Sequence, residues 1–419
     1  MASLRVPSSL VLALACCACV ERSGAGTSES PTESGTSTLA TDTTTATETE
    51  TETTTETTSS ETETGPPPCE PEPAGLIETQ AELDALAGIC ATTDTLSLAG
   101  ADIVDLSPLG ALERVGGNLS IPDSLTNITS LAELGALREV EGAVLIGGAG
   151  GSALGSLAGL GGLERVGGLS LSGLDDISGL PKTLELVSSG ESVFVQFVAL
   201  DGLTSLTELP SLTATPGLQL RATVAKAPLL TELDGIESWP LEGGRVVLRD
   251  LPSLDSLAGF GVIALDELEL VELHSLSDLQ GLDSLTSIGS LSIWANDGLV
   301  NLAGLDNLMS AERIELGGCQ DEFGDGHKPS NTMLASLSGL ESLSAVGTLL
   351  IDGQVALSSL AALESLASLQ AAVLRDNPAL DEAELLALLT DLGLPSDFDE
   401  QSFCGNQGQP ACVPCPPPE

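Results

Sequence analysis

His274 and His327 are the only two histidines in the chain, and nucleophilic catalysis by Ser or Cys ordinarily needs a base of that kind beside the nucleophile. Neither stands in a Gly-x-Ser-x-Gly, His-Glu-x-x-His or phosphate-loop pattern. Carboxylate pairs such as Asp175-Asp176 and Asp266-Glu267 could share acid–base work, yet 61 acidic residues make such neighbours inevitable. Cys412-x-x-Cys415 has redox spacing but lies in Pro-rich terminal sequence without a β-α-β context. The densest set of metal-ligand types is Cys319, Asp321, Glu322, Asp325 and His327, within 317–332. It has neither the alternating Asp/Asn ligands of a calcium loop nor a second Cys or His at zinc-site spacing, so it reads as an exposed loop. The expectation is a non-enzymatic chain with no metal and no other cofactor.

Recognition is the chemistry that remains. Its candidate residues are Gln219, Arg221, Arg249, Glu269, Trp294 and Glu315, each at or beside the variable centre of an apolar-x-apolar triplet. Arg and Trp are scarce here and dominate binding energy at interfaces, so their concentration on one surface points to a ligand-binding patch. The opposing reading is that the arginines offset nearby carboxylates while Trp294 caps a turn edge.

The elements that must position these residues are repeats. Leu109–Ile121 reads L-G-A-L-E-R-V-G-G-N-L-S-I and is echoed in Leu160–Leu171 and Leu282–Ile293. The last apolar residue of each triplet gives twelve anchors: Leu98, Ile121, Ile146, Leu171, Val195, Leu220, Leu248, Leu270, Ile293, Leu316, Ile351 and Leu374. A near-constant period of this size is the signature of a solenoid. Each triplet suits a short strand with one buried side. Leu106, Leu109, Leu112 and Val115, three apart, fill the interior from the opposite wall, and the Gly-Gly pair before the triplet allows a tight corner. One turn cannot bury its own apolar side, so turns stack into a parallel ladder with a continuous aliphatic core. A core that thin explains a chain with six Phe, two Trp and no Tyr. The one long interval, Leu316 to Ile351, holds the insertion at 317–332.

Thr79-x-x-Glu82 is a capping box opening a short helix with Leu83 and Leu86 on its apolar side, ended by Gly88. Asp381-x-x-Glu384 opens a second, closing helix over Asp381–Leu392, stopped by Gly393. The fold class expected is therefore α/β: a solenoid with a parallel sheet of about twelve short strands and a short helix at each end.

Residues 1–15 read as an export signal, with Arg5 ahead of the apolar run Leu10–Ala15, which is too short to span a bilayer. Leu14-Ala15-Cys16 resembles a lipobox, making Cys16 the expected lipidated residue, with Cys17 and Cys19 as alternatives. Residues 16–68 are a tether: Thr- and Glu-rich, without Lys or Arg between Thr27 and Thr64, too polar to collapse. A flexible chain of that length reaches roughly 40 Å. The solenoid should span 69–400, as one array or two fused halves, and 401–419 form a Cys- and Pro-rich tail. Six cysteines lie beyond the tether, and in an exported chain they are read as disulfide partners, the residues alone leaving the pairing open.

Cys69, Ile77, Leu83, Leu86 and Cys90, followed by the repeated L-x-x-L-x-x-V-G-G-x-L-x-I, resemble the receptor L-domain, a right-handed leucine-rich solenoid of receptor ectodomains. The resemblance covers about 76–400 and implies a Cys69–Cys90 bridge and an extracellular recognition role. In the tail, Cys404 is expected to pair with Cys412. The lipobox and tether are similar to those of bacterial surface lipoproteins. The localisation expected is thus an exported lipoprotein at the bacterial cell surface or outer membrane, touching the membrane only through its anchor. With 61 acidic against 13 basic residues, nucleic acid and anionic membrane surfaces are excluded as partners. An extracellular protein or glycan is the expected partner; the alternative is a passive acidic coat or spacer.

Overall fold

The computed structural model describes residues 69–318, 329–392 and 403–408. The chain divides into two units, Met1–Gly65 and Pro66–Glu419. The expected signal peptide, Cys16, the tether, the 319–328 part of the insertion, Cys412 and Cys415 lie outside the described residues.

The second unit is a parallel β-solenoid. Ile121 pairs with Ile146 and Ile146 with Leu171 in register. The same inward column runs from Leu248 through Leu270, Ile293, Leu316 and Ile351 to Leu374. All of these side chains are buried. Burying one such side chain contributes about 1.5–3 kcal/mol, so a column repeated turn after turn supplies the cohesion that no turn has alone. The opposite wall is built from leucines three apart, several on 3-10 turns such as Ser107–Leu109, Ala132–Leu134 and Ala158–Leu160. Three residues per 3-10 turn bring every third side chain to the same side, which is why that spacing recurs.

In the irregular middle the register differs from the triplet reading. Leu171 pairs with Phe197 and not Val195, and Phe197 pairs with Val224 and not Leu220. Val195 and Leu220 are buried too, but in two other inward columns, Val195 with Ala222 and Leu220 with Val193, because strands Ser192–Val198 and Gln219–Ala225 each present three apolar residues inward. The structure also adds a two-residue strand, Leu76–Ile77, ahead of the first expected one. A second parallel ladder runs through Ala91–Thr92, Arg114–Val115, the starts of Glu139–Gly147 and Arg165–Ser172, then Thr183–Leu186 and Ser211–Ala214.

Both end helices form. The first, α1 (Gln80–Asp84), carries the full Thr79/Glu82 capping box and buries Leu83. The second, α2 (Glu382–Asp391), has Asp381 as its N-cap, accepting from the Ala383 N–H at 2.9 Å. The reciprocal bonds of its expected capping box are not seen: Asp381 caps Ala383 rather than Glu384, and Glu384 Oε2 accepts from the Leu360 N–H at 2.8 Å in the preceding turn.

The glycines work differently from expectation. Gly167, in a Gly-Gly pair, has no left-handed backbone; a Cβ there would stand 2.3 Å from the Glu141 carbonyl oxygen, so the pair permits close stacking of turns. Left-handed turns fall elsewhere, at Gly304 for example (φ 110°).

One further column is polar. At the residue that turns inward after each strand, the early turns carry Leu174, Leu200, Ala227, Leu251 and Leu273, all buried. The later turns carry Asn296, Asn331, Gln354, Asn377 and Asn406, equally buried. Each of these amides reaches back one turn. Asn377 Oδ1 accepts from the Gln354 N–H at 2.9 Å while its Nδ2 donates to the Ile351 carbonyl at 3.0 Å. Asn296, Asn331 and Asn406 repeat the pattern onto Leu273, Asn296 and Asn377.

Cys69 and Cys90 form a disulfide, with Cα atoms 5.8 Å apart, tying the entry of the solenoid to the segment behind α1. Cys404 is buried and disulfide-bonded. Closing the Cys69–Cys90 loop is worth about 3 kcal/mol on the chain-entropy account. Cys69→Ser is therefore expected to lower the denaturant midpoint measurably, and protease nicking near 69–98 should rise with it; an unchanged midpoint would contradict this.

Candidate recognition face

The six candidate residues sit on the outward side of the long sheet between strands Gln219–Ala225 and Ser310–Leu316. Parallel pairing sorts the side chains there into rows. One row runs Phe194, Arg221, Arg245, Glu267, Ser290, Arg313. The next runs Gln196, Thr223, Val247, Glu269, Ser292, Glu315, and a third Val198, Ala225, Arg249, Val271, Trp294. Gln219 lies at the beginning of its strand, in register with Ser192.

The structure does not present the six as one open patch. Gln219 and Arg221 are exposed. Trp294 is 2 % exposed, Glu269 4 % and Glu315 5 %. Trp294 packs with Val271 and Ala295 in a small cluster of its own, and the Arg249 guanidinium lies 5.5 Å from its ring centroid. Strands in a sheet stand about 4.8 Å apart, so long side chains in adjacent rows lie on one another and shade the ring between them. Trp294 is thus a packing residue, and its buried Nε1 has no hydrogen-bond partner.

The charges in these rows are largely matched. Arg245 bridges Glu267 at 3.2 Å and Glu269 at 3.5 Å. Arg313 meets Glu315 at 3.3 Å, and Arg249 meets Glu272 at 3.9 Å. Arg221 stands in register beside Arg245 on one side and Phe194 on the other. Among the described residues Arg221 makes no hydrogen bond or ion pair, so its guanidinium is available. Phe194 is partly exposed, and a Cβ on Gly168 would stand 3.1 Å from its ring, so the glycine makes room for it. The open part of the face is therefore Phe194, Gln196, Gln219, Arg221 and Thr223. Phe194, the variable centre of the Val193-Phe194-Val195 triplet, and Gln196 after it were legible in the alternation Val193-Phe194-Val195-Gln196-Phe197, whose inward members are buried.

Of the residues first considered for catalysis, His274 is exposed, with Nδ1 3.9 Å from Asp297 Oδ2. The Asp176 carboxyl is held below the usual carboxylate range by its hydrogen bonds from Ser178. Glu267 is engaged by Arg245. Among the described residues no group of three or more His, Cys, Asp or Glu could hold a metal ion, and no helix is long and apolar enough to cross a membrane. The metal-ligand types of the insertion lie outside the described residues.

No protein-family model matches this chain, and neither does any curated protein. What the fold and face define is a class, a parallel β-solenoid of stacked leucine-rich turns with an outward sheet surface. No narrower family assignment follows.

Proposed function

We propose that the chain is a lipid-anchored bacterial surface protein, related in design to receptor L-domains, that presents its solenoid for contact with an extracellular protein or glycan and carries out no reaction. The observation that supports it best is Arg221: an accessible guanidinium beside a partly exposed Phe194, in a chain with 13 basic residues whose neighbouring arginines all have carboxylate partners. A cation left unmatched in so acidic a surface is a place for a ligand's acceptor group, and an adjacent ring supplies the apolar contact that interface anchors use.

Capture from cell envelopes with the full-length protein tests this. Phe194→Ala and Arg221→Ala are each expected to weaken retention of any bound component by about fivefold to thirtyfold, the range of an interface anchor. Retention unchanged by either would remove the face from consideration. The charge pairing of the central rows favours a second reading, a passive acidic coat, which predicts no saturable capture at all.

The anchor has its own test. Metabolic labelling with a fatty acid should mark the wild type and be lost in Cys16→Ala. Label persisting in Cys16→Ala moves the site to Cys17 or Cys19, and an unlabelled wild type ends the lipoprotein reading.

A further inference from the structure

The wall opposite the long sheet is thinned at the fifth turn. The connection 173–182, between strands Arg165–Ser172 and Thr183–Leu186, is much shorter than the 148–164 connection before it and lacks the 3-10 segment that Ala158–Leu160 supplies there. Turn four's Gly161–Gly162 corner is met only at its edge, where a Cβ on Gly161 would stand 3.2 Å from the Gly179 carbonyl oxygen, and a cleft of about 490 Å³ lies between the corner and Thr213. That volume lies within the range of roughly 300–1,000 Å³ of small-molecule sites.

The lining is polar and uncommitted. Arg138 is held across the cleft floor by one nitrogen, Nη1, which donates to the Gly135 and Leu137 carbonyls at 3.0 Å each and to the Gly162 carbonyl at 3.4 Å. Its remaining N–H groups, the Lys182 ammonium, the Glu164 carboxylate and the Thr183 and Thr213 hydroxyls are exposed and, among the described residues, without side-chain partners. Glu185 closes the rim and is held by Arg165 at 3.3 Å. Donors and acceptors thus alternate around one concavity whose leucines, Leu163 and Leu184, are buried beneath it.

Resting on the recognition reading above, we propose that this notch is a saccharide subsite that takes a neutral, hydroxyl-rich ring. A free anion would approach against a formal net charge of −48 and meet Glu164 and Glu185. An apolar side chain finds no exposed aromatic or aliphatic wall. A sugar hydroxyl both gives and accepts a hydrogen bond. Arg138, Lys182, Thr183, Thr213 and Glu164 around the cleft offer both donors and acceptors for it.

The test is binding of neutral oligosaccharides (gluco-, manno- and chito-series) to the full-length protein by saturation-transfer NMR and calorimetry, with Lys182→Met and Thr213→Val as variants. Both side chains are exposed and free of internal bonds, so unchanged circular dichroism is expected, while affinity for the bound series should fall at least tenfold in the double variant. No binding by any series, or affinity unchanged in the double variant, overturns the notch. If Arg221→Ala, rather than the notch variants, abolishes saccharide binding, the notch fails and the recognition reading stands. If neither saccharide nor envelope protein binds, both fail.

Discussion

Asn377→Leu is expected to cost about 4 kcal/mol of stability, the sum of two buried polar groups left unpaired at about 1–3 kcal/mol each. Leu fits the volume, as Leu251 and Leu273 show at the equivalent place. It cannot, however, accept from the Gln354 N–H or donate to the Ile351 carbonyl, both of which Asn377 satisfies in the fully buried interior. Because each turn touches only its neighbours, the loss should appear locally: amides of Ala345–Asp352 and Ser368–Arg375 should exchange faster than those of Leu119–Ile121. Chemical denaturation followed by hydrogen exchange reads both. A midpoint within error of wild type, or loss of protection spread evenly over the solenoid, would show that the amide column is not what joins the last turns.

Gly304→Ala is expected to be equally severe for a different reason. The residue sits at φ 110°, and its Cβ would stand 2.0 Å from the Leu279 carbonyl oxygen, a backbone atom of the turn beneath. Left-handed strain of about 1–3 kcal/mol adds to overpacking of about 1–3 kcal/mol, giving about 4 kcal/mol. Gly217 separates the two contributions, since it is also left-handed, at φ 90°, but nothing lies within 4 Å of its Cβ. Gly217→Ala should cost only the conformational share, about 1 kcal/mol. Equal midpoints for the two variants would mean that turn stacking yields to the extra carbon.

Much of the architecture was legible in the sequence, and the places where it was not have physical causes. Leu106, Leu109 and Leu112 give their wall away because one short spacing has a single structural meaning. The slip to Val195 and Leu220 arose because a strand with three inward apolar residues offers several equivalent anchors. Only the neighbour's register, Leu171 against Phe197, chooses among them. The amide column escaped notice because Asn296 and Asn377 follow their strands at a constant offset, whereas Asn331 and Asn406 are displaced by the insertion and the tail. On the candidate face, alternation identifies outward residues but not their exposure. Trp294 is outward and still covered, whereas Phe194 beside Arg221 is open.

The backward reach of Asn377 toward Gln354 gives the rear of the rod a direction. A duplicated turn spliced between those two residues would find its amides satisfied above and below, so lengthening there is chemically neutral. Shortening from the far end is not, because Asn406 is the terminator that closes the last repeat through the Asn377 N–H and the Leu374 carbonyl. Such a molecule can gain modules internally over evolutionary time, or by engineering, while Asn406 stays indispensable.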